Sequence, residues 1–340
     1  MKHFLWAALG RRLLWSMVGL YALALGVQVY AVVATSAARS SVLPENFGNF
    51  EHVRTMLPAS DPGAPFTFVV VGDPRSKGTF EALAEDINAA KPDFVVILGD
   101  WVDAGSTDWH AYYRQECPEY GFTCPVFFTP GNHDVDPKKY DLDAFARDYG
   151  PRNFSFVHGD CLFAFISHLD RRFSNRESLD YLRSLAGQDL GKYRRRFVFM
   201  HIPPWVSPDI KERHTTDEAE LTRIFEDLHI DYAVAADFHG YNQTWLRGVE
   251  YLVTGGGGAH LHESMGKQFH HAVALTVGSD MVSERILPVA ARFDFGDWLE
   301  LNSVVRIGPM MLAHPVLFAV GNAIMALAVA GLFRKRTGGS

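Results

Sequence analysis

The sequence predicts an α/β protein built from two packed, mixed β-sheets flanked by helices, with one transmembrane helix at each end. Three observations carry this. Apolar runs ending in Gly-Asp or Gly-Asn loops alternate with helical patterns through the first half of the chain. From Gln243 to Val289 the pattern changes to short strands and glycines. Two charge-free apolar stretches, 13–34 and 310–333, flank everything else.

Both stretches are long enough to cross a bilayer as helices. Lys2, Arg11 and Arg12 precede the first, and Arg334, Lys335 and Arg336 follow the second. By the positive-inside tendency both termini lie on the cytoplasmic side of the inner or plasma membrane, and the intervening domain is periplasmic or extracellular. A cleaved signal peptide is the alternative for the first stretch, with Val32-Val33-Ala34 or Thr35-Ser36-Ala37 as the cleavage site. Its apolar run is longer than a signal sequence needs, so a retained anchor is expected. His314, Pro315 and Asn322 lower the hydrophobicity of the second span and are expected to face the partner helix. Residues 35–64, rich in Ser, Ala, Pro and Gly without a clear period, read as a linker to a folded domain at 65–300.

The folded part opens with the apolar run Pro65–Val71, which ends at Gly72-Asp73-Pro74-Arg75. Helical spacing follows in Phe80, Leu83 and Ile87. The same grammar repeats at once: Pro92–Leu98 leads into Gly99-Asp100-Trp101-Val102-Asp103. A helix through Trp109–Gln115 then precedes Cys124–Thr129 and Pro130-Gly131-Asn132-His133-Asp134. Unbroken apolar strands joined by helices mean parallel strands buried on both faces. Further on, Arg196–Met200 delivers His201, and Asp231–Ala236 delivers Asp237-Phe238-His239-Gly240. The loops therefore gather at strand ends, where α/β proteins place their chemistry.

Composition narrows the function. A net charge of -7 and a pI near 6.1 argue against nucleic-acid binding through a basic surface. Cys117 and Cys124 are close enough in sequence to bridge, which leaves Cys161 over. With no Cys-x-x-Cys pair, a structural zinc site is not expected.

Asp73, Asp100, Asn132, His201 and His239 form a set of oxygen and imidazole ligands without thiolates. Such a set suits manganese, iron, zinc or magnesium. Two divalent ions sharing one carboxylate hold a phosphate ester and activate a water for in-line attack. An isolated strand-end Asp or His is more often a cap or turn residue; the serial order of these loops is what points to a site.

That order resembles the calcineurin-like metallophosphoesterase superfamily, which includes the purple acid phosphatases. The resemblance rests on Asp73-Pro74-Arg75, Gly99-Asp100-Trp101-Val102-Asp103, Gly131-Asn132-His133-Asp134, His201 and Ala236-Asp237-Phe238-His239. Val253-Thr254-Gly255-Gly256-Gly257-Gly258-Ala259 adds a glycine-rich stretch similar to that of purple-acid-phosphatase-like members. It covers residues 65 to 290 and implies the family's αββα sandwich and a metal-dependent phosphatase or phosphodiesterase. Two divalent ions are implied, with Asp100 bridging them. Asp73 and His239 would complete one site, and Asn132 and His201 the other. His133 would protonate the leaving oxygen or steady the transition state.

Two departures stand out. Arg75 replaces a usual His ligand, and a guanidinium cannot bind a metal. It is left to clamp a substrate phosphate oxygen or to pair with a nearby carboxylate. Asp237 replaces the first His of the fifth motif; a carboxylate can still be a ligand, and harder oxygen ligation favours manganese or magnesium over zinc. His260 and His262 are further candidates to supply ligands. The glycine run lacks the Lys-Ser/Thr of a nucleotide-binding loop.

The leading expectation is a membrane-anchored phosphoesterase acting on a phosphate ester, lipid-linked or from the cell envelope, with no nucleic-acid partner. A catalytically weak ligand-binding or sensor domain on the same fold is the alternative kept open by Arg75 and Asp237. A scaffold that recruits an envelope complex through its spans is a third.

Overall fold

The structure, a computed structural model, describes residues 2–75, 78–210, 217–261 and 268–337. It separates into two compact units, one of residues 42–294 and one of residues 1–41 with 295–340. The chain enters through helix α1 (Lys2–Ser40), and a single turn, α2 (Glu51–Arg54), lies within the larger unit. In that unit the continuous apolar runs become β1 (Phe66–Val71), β2 (Phe94–Ile97) and β3 (Val126–Phe128), all parallel. Helix α3 (Gly78–Ala89) connects the first two strands and α4 (Thr107–Glu116) the second two. Ser106 caps α4 by accepting from the Trp109 N–H.

Helix α5 (Leu142–Tyr149) leads into a hairpin of β4 (Phe154–His158) and β5 (Cys161–Phe165). Next come α6 (Arg176–Leu185), β6 (Arg195–Phe199), α7 (Glu218–Asp227) and β7 (Tyr232–Ala235). The β-rich end follows as β8 (Tyr241–Leu246), β9 (Val249–Thr254), β10 (His271–Val277) and β11 (Val282–Pro288). Two sheets result, ordered β11-β10-β1-β2-β3 and β4-β5-β6-β7-β9-β8. Both are mixed: in the first, parallel β1, β2 and β3 form one side and the antiparallel hairpin β10–β11 the other, and in the second, parallel strands fill the middle with antiparallel β4 and β8 at the edges. Their facing sides share one core in which Phe68, Phe94, Phe163 and Phe197 interlock. Phe163 stacks on Phe197 with centroids 5.0 Å apart, and Phe68 meets Phe163 edge-on at 5.4 Å. The outer side of the second sheet is closed by α6 and α7 through Leu179, Leu182, Leu221 and Phe225. This is the two-sheet, helix-flanked sandwich that the sequence predicts.

Part of the segment read as linker is packed. Asn49 is fully buried and exchanges two hydrogen bonds of 2.9 Å with the backbone of Phe128, while Phe47 bridges to Val126. Ser/Ala/Pro composition conceals this because the contacts join residues nearly eighty positions apart. Cys117, Cys124 and Cys161 are all free thiols, the first and last buried as small apolar groups.

The smaller unit is helical, with α8 (Phe295–Asn302), α9 (Gly308–Ala313) and α10 (Pro315–Thr337), of which α9 and α10 pack against α1. Leu14–Ser40 and Pro315–Phe333, of 27 and 19 residues, are long and apolar enough to cross a membrane. Asn322 does face the partner helix. Its amide donates to Gln28 Oε1 at 2.8 Å and accepts from Gln28 Nε2 at 3.4 Å, and its carbonyl accepts from Tyr21 at 2.9 Å. His314 and Pro315 instead stand exposed at the break between α9 and α10.

Candidate metal centre

Every loop singled out in the sequence follows the strand expected of it. Asp73 lies just beyond β1, Asp100 beyond β2, Asn132 beyond β3, His201 beyond β6, and Asp237 and His239 beyond β7. Backbone bonds splice the loops together: Asp73 N–H to Gly99 O at 3.0 Å, Arg75 N–H to Asp100 O at 3.1 Å and Ala236 N–H to His201 O at 2.8 Å. Asp73, Asp100 and Asp237 adopt left-handed backbone, with φ of 56°, 55° and 62°. Asp tolerates this region better than most residues, and surroundings that hold three such turns together are typical of functional sites.

The side chains converge across both sheets. Asp73, Asp100 and His201, all buried, each offer a ligand atom within 4.8 Å of the other two. His201 Nε2 lies 3.1 Å from Asn132 Oδ1, 3.4 Å from Asp100 Oδ1 and 3.8 Å from Asp237 Oδ1. His239 Nε2 lies 3.3 Å from Asp73 Oδ1. All six expected ligands are therefore brought to one place.

The donor chemistry fits a divalent cation. His201 Nδ1 donates to Leu98 O at 2.7 Å and His239 Nδ1 to His260 O at 2.6 Å. When the ring is neutral with the proton on Nδ1, each turns an Nε2 lone pair toward oxygens that also only accept. A backbone carbonyl that fixes the ring in this way is the usual outer support of a metal-bound histidine. Asp73 Oδ2 accepts from the Asp237 N–H at 3.0 Å, whereas Asp73 Oδ1 is buried without a hydrogen bond. A buried carboxylate oxygen left in that state is costly unless a cation meets it.

Electrostatics follow from this crowding. Burial alone would push the Asp100 carboxyl up, but His201, Arg75 and His133 together bring it down to about 2. Burial works against a charged His201, yet Asp100, Asp73 and Asp237 raise its pKa above the ordinary value. Burial works against a charged His239 as well, but the Asp73 charge and the His260 carbonyl raise its pKa above the ordinary value.

Of the two partners that the sequence leaves open for Arg75, the structure shows the carboxylates. Nη2 donates to Asp100 Oδ2 at 2.8 Å and Nη1 to Asp103 Oδ1 at 3.2 Å. His133 keeps its backbone N–H on Asp100 Oδ1 at 2.8 Å, and its Nδ1 lies 2.8 Å from Asp103 O and 3.1 Å from Arg75 Nη1. Its ring is partly open to solvent, with Nε2 4.0 Å from Asp100 Oδ2.

Asp134 does more than the sequence suggests. It is fully buried and accepts from the Asp100 and Gly131 N–H groups at 2.7 Å and from Val102 N–H at 3.2 Å. It thus pins the second loop to the third. Burial and the Asp100 charge push its carboxyl up, to about 8, against N–H donors that favour the ionised form. Arg172 is a second unforeseen support, donating to Asn132 O at 2.6 Å. The Asp at the end of Gly-Asn-His-Asp was the available signal for the first; nothing local marks the second.

The glycine run serves close packing. A Cβ on Gly255 would stand 2.6 Å from Asp73 Oδ2, and the Ala259 N–H donates to Asp73 O at 2.8 Å. Gly99 has φ +89° and a Cβ there would meet His201 Nδ1 at 2.5 Å. His260 contributes its backbone carbonyl to His239, and His262 lies outside the described residues.

A family profile described as calcineurin-like phosphoesterase matches residues 66–241, the interval that holds every loop of the centre. Among solved structures the chain is similar to a dimetal phosphatase from Danio rerio, with TM-score 0.53 and 11% identity over 68% of this chain and 98% of that one. It is also similar to the purple acid phosphatase PPD1 of yellow lupin (Lupinus luteus), with TM-score 0.52 and 18% identity over 71% of this chain and 56% of that one. At such identities these likenesses establish the fold. No curated protein sequence matches the chain. The profile spans more than half of the chain, and the protein belongs to the calcineurin-like phosphoesterase family, the metal-dependent phosphoester hydrolases.

Proposed function

We propose that the chain is a membrane-anchored phosphoesterase whose metal centre uses Asp73, Asp100, Asn132, His201, Asp237 and His239 as ligands. The observation that carries this is the pair of histidines, each with Nδ1 fixed on a backbone carbonyl and Nε2 facing carboxylate or amide oxygens. A divalent ion bound there lowers the pKa of a coordinated water and screens the phosphate charge. Manganese is favoured over zinc and iron, with magnesium next, because oxygen donors dominate the set.

The chain's own residues supply the rest. Asp134 and Arg172 hold the Asp100 and Asn132 loops in register, so the ligands need little rearrangement. His133 sits at the open side of the centre with Nδ1 donating to Asp103 O, and as the imidazolium it would hand its Nε2 proton to the leaving oxygen. Arg75 presents a fixed positive charge beside the place where phosphate charge develops. Leu14–Ser40 and Pro315–Phe333 serve as anchors with both termini cytoplasmic and the catalytic domain outside. Attachment of this kind favours a lipid-linked or cell-envelope phosphate ester as substrate.

A ligand-binding domain with weak catalysis is the competing reading, favoured by the guanidinium seated on Asp100. Hydrolysis of one aryl phosphate monoester and one diester, with manganese and with Asp100→Asn as control, separates the two. Turnover that collapses in the variant supports the enzyme. Rates equal to the variant's with every divalent metal tried would refute it.

A further inference from the structure

We propose that the Arg75 guanidinium is a built-in cation that takes the place of a second metal ion, so that this centre binds one divalent ion per chain. The inference rests on the phosphoesterase reading above and narrows its ligand set to Asp100, Asn132, His201 and Asp237, with Asp73 and His239 beside the ion and not bound to it. Among the described residues Arg75 is the one Arg or Lys that is buried, at 8% exposure. Its backbone is left-handed, with φ 57°, and its N–H is bound to Asp100 O at 3.1 Å. A non-glycine residue holds that conformation where its surroundings determine it. The guanidinium is therefore placed by the loop and does not drift in from the surface.

The ligand atoms divide unevenly around it. On one side Asp100 Oδ1, Asn132 Oδ1 and Asp237 Oδ1 surround His201 Nε2 within 3.8 Å. On the other side Asp73 Oδ1 and His239 Nε2 stand 3.3 Å apart. The oxygen that would complete the second set, Asp100 Oδ2, is occupied by Arg75 Nη2 at 2.8 Å. Asp103, the next carboxylate within reach, is held by Nη1 at 3.2 Å. An ion on the second side would have two protein ligands and a guanidinium as neighbour, too few donors for a tight site and a repulsive charge beside it.

Arg75 then supplies what a second ion would, a positive charge near the phosphate, but with hydrogen-bond donors in a fixed fork and no coordinated water. The nucleophile must come from the His201 side.

The test counts ions. Detergent-solubilised full-length protein, stripped with chelator and dialysed against manganese, is measured by elemental analysis and by electron paramagnetic resonance. The wild type should hold one ion per chain with an uncoupled mononuclear signal. Arg75→His, which removes the charge and adds a ligand, should hold two ions with an exchange-coupled signal. Arg75→Gln gives the same comparison if the histidine variant does not fold, with a weaker second ion. Two coupled ions in the wild type would overturn the inference and leave the metal-dependent reading standing. A variant that folds and still holds one ion would also overturn it. No bound ion in the wild type would overturn both.

Discussion

Polar groups are brought together in two parts of this molecule, and they are treated in opposite ways. Between the apolar helices, Gln28 and Asn322 answer each other donor for acceptor, and Tyr21 takes the Asn322 carbonyl. In the metal centre, Asp73 Oδ1 and Arg75 Nε are buried without a hydrogen bond, and the Nε2 atoms of His201 and His239 stand against carboxylate oxygens at 3.4 and 3.3 Å. Amides that satisfy one another specify how two helices pair. Acceptors crowded together and left incomplete specify something that has still to bind.

The largest effect should come from deepening that incompleteness. Asp100→Asn keeps the shape but removes the charge at the centre of the ligand set. Hydrolysis should fall by about 10³-fold or more, since metal assistance is worth several kcal/mol; steady-state rates at saturating manganese measure it. Asp134→Ala strikes a completed group instead. It leaves the Asp100, Gly131 and Val102 N–H groups without their acceptor, and the domain should lose about 3 kcal/mol or more in a denaturant titration. An unchanged midpoint would mean the loops are held elsewhere.

Titration offers a third way to sharpen the contrast. His110 is buried and satisfied as a neutral ring, between Tyr149 Oη at 2.9 Å and Asp134 O at 2.8 Å, and burial lowers its pKa to about 3. His271, between Thr254 and the Phe269 carbonyl, is lowered to about 4, again chiefly by burial. Both folded values lie below the ordinary 6.5, so the unfolded chain binds the extra protons. Stability should be full above pH 6.5 and fall as the pH drops toward 4, by at most about 3 kcal/mol per ring. Thermal unfolding of the wild type beside His110→Phe checks this: the variant should show the shallower decline, and identical slopes would contradict it. The smallest effect belongs to the helix pair. Asn322→Leu should loosen it by about 0.6 kcal/mol, read by helix association in lipid, because an amide there finds other partners when the pair opens.

Much of this was legible in the sequence because strand ends are local features. Gly99-Asp100, Gly131-Asn132-His133-Asp134, His201 and Asp237-Phe238-His239 each follow an apolar run, so periodicity places each of them at a strand end. What stayed hidden depends on distant pairing. Asn49 meets Phe128, Arg172 meets Asn132, and His201 is aimed by Leu98 from the other sheet. Arg75 shows the limit most clearly. Its residue type excludes it as a ligand, but its choice of Asp100 and Asp103 is visible only once three loops are brought together.

The most direct test is an activity titration of chelator-stripped protein with manganese, following aryl phosphate hydrolysis against equivalents added. Activity should rise linearly and level off at one equivalent per chain, and stay absent in Asp100→Asn. A plateau at two equivalents, or no hydrolysis at any loading, would contradict the account.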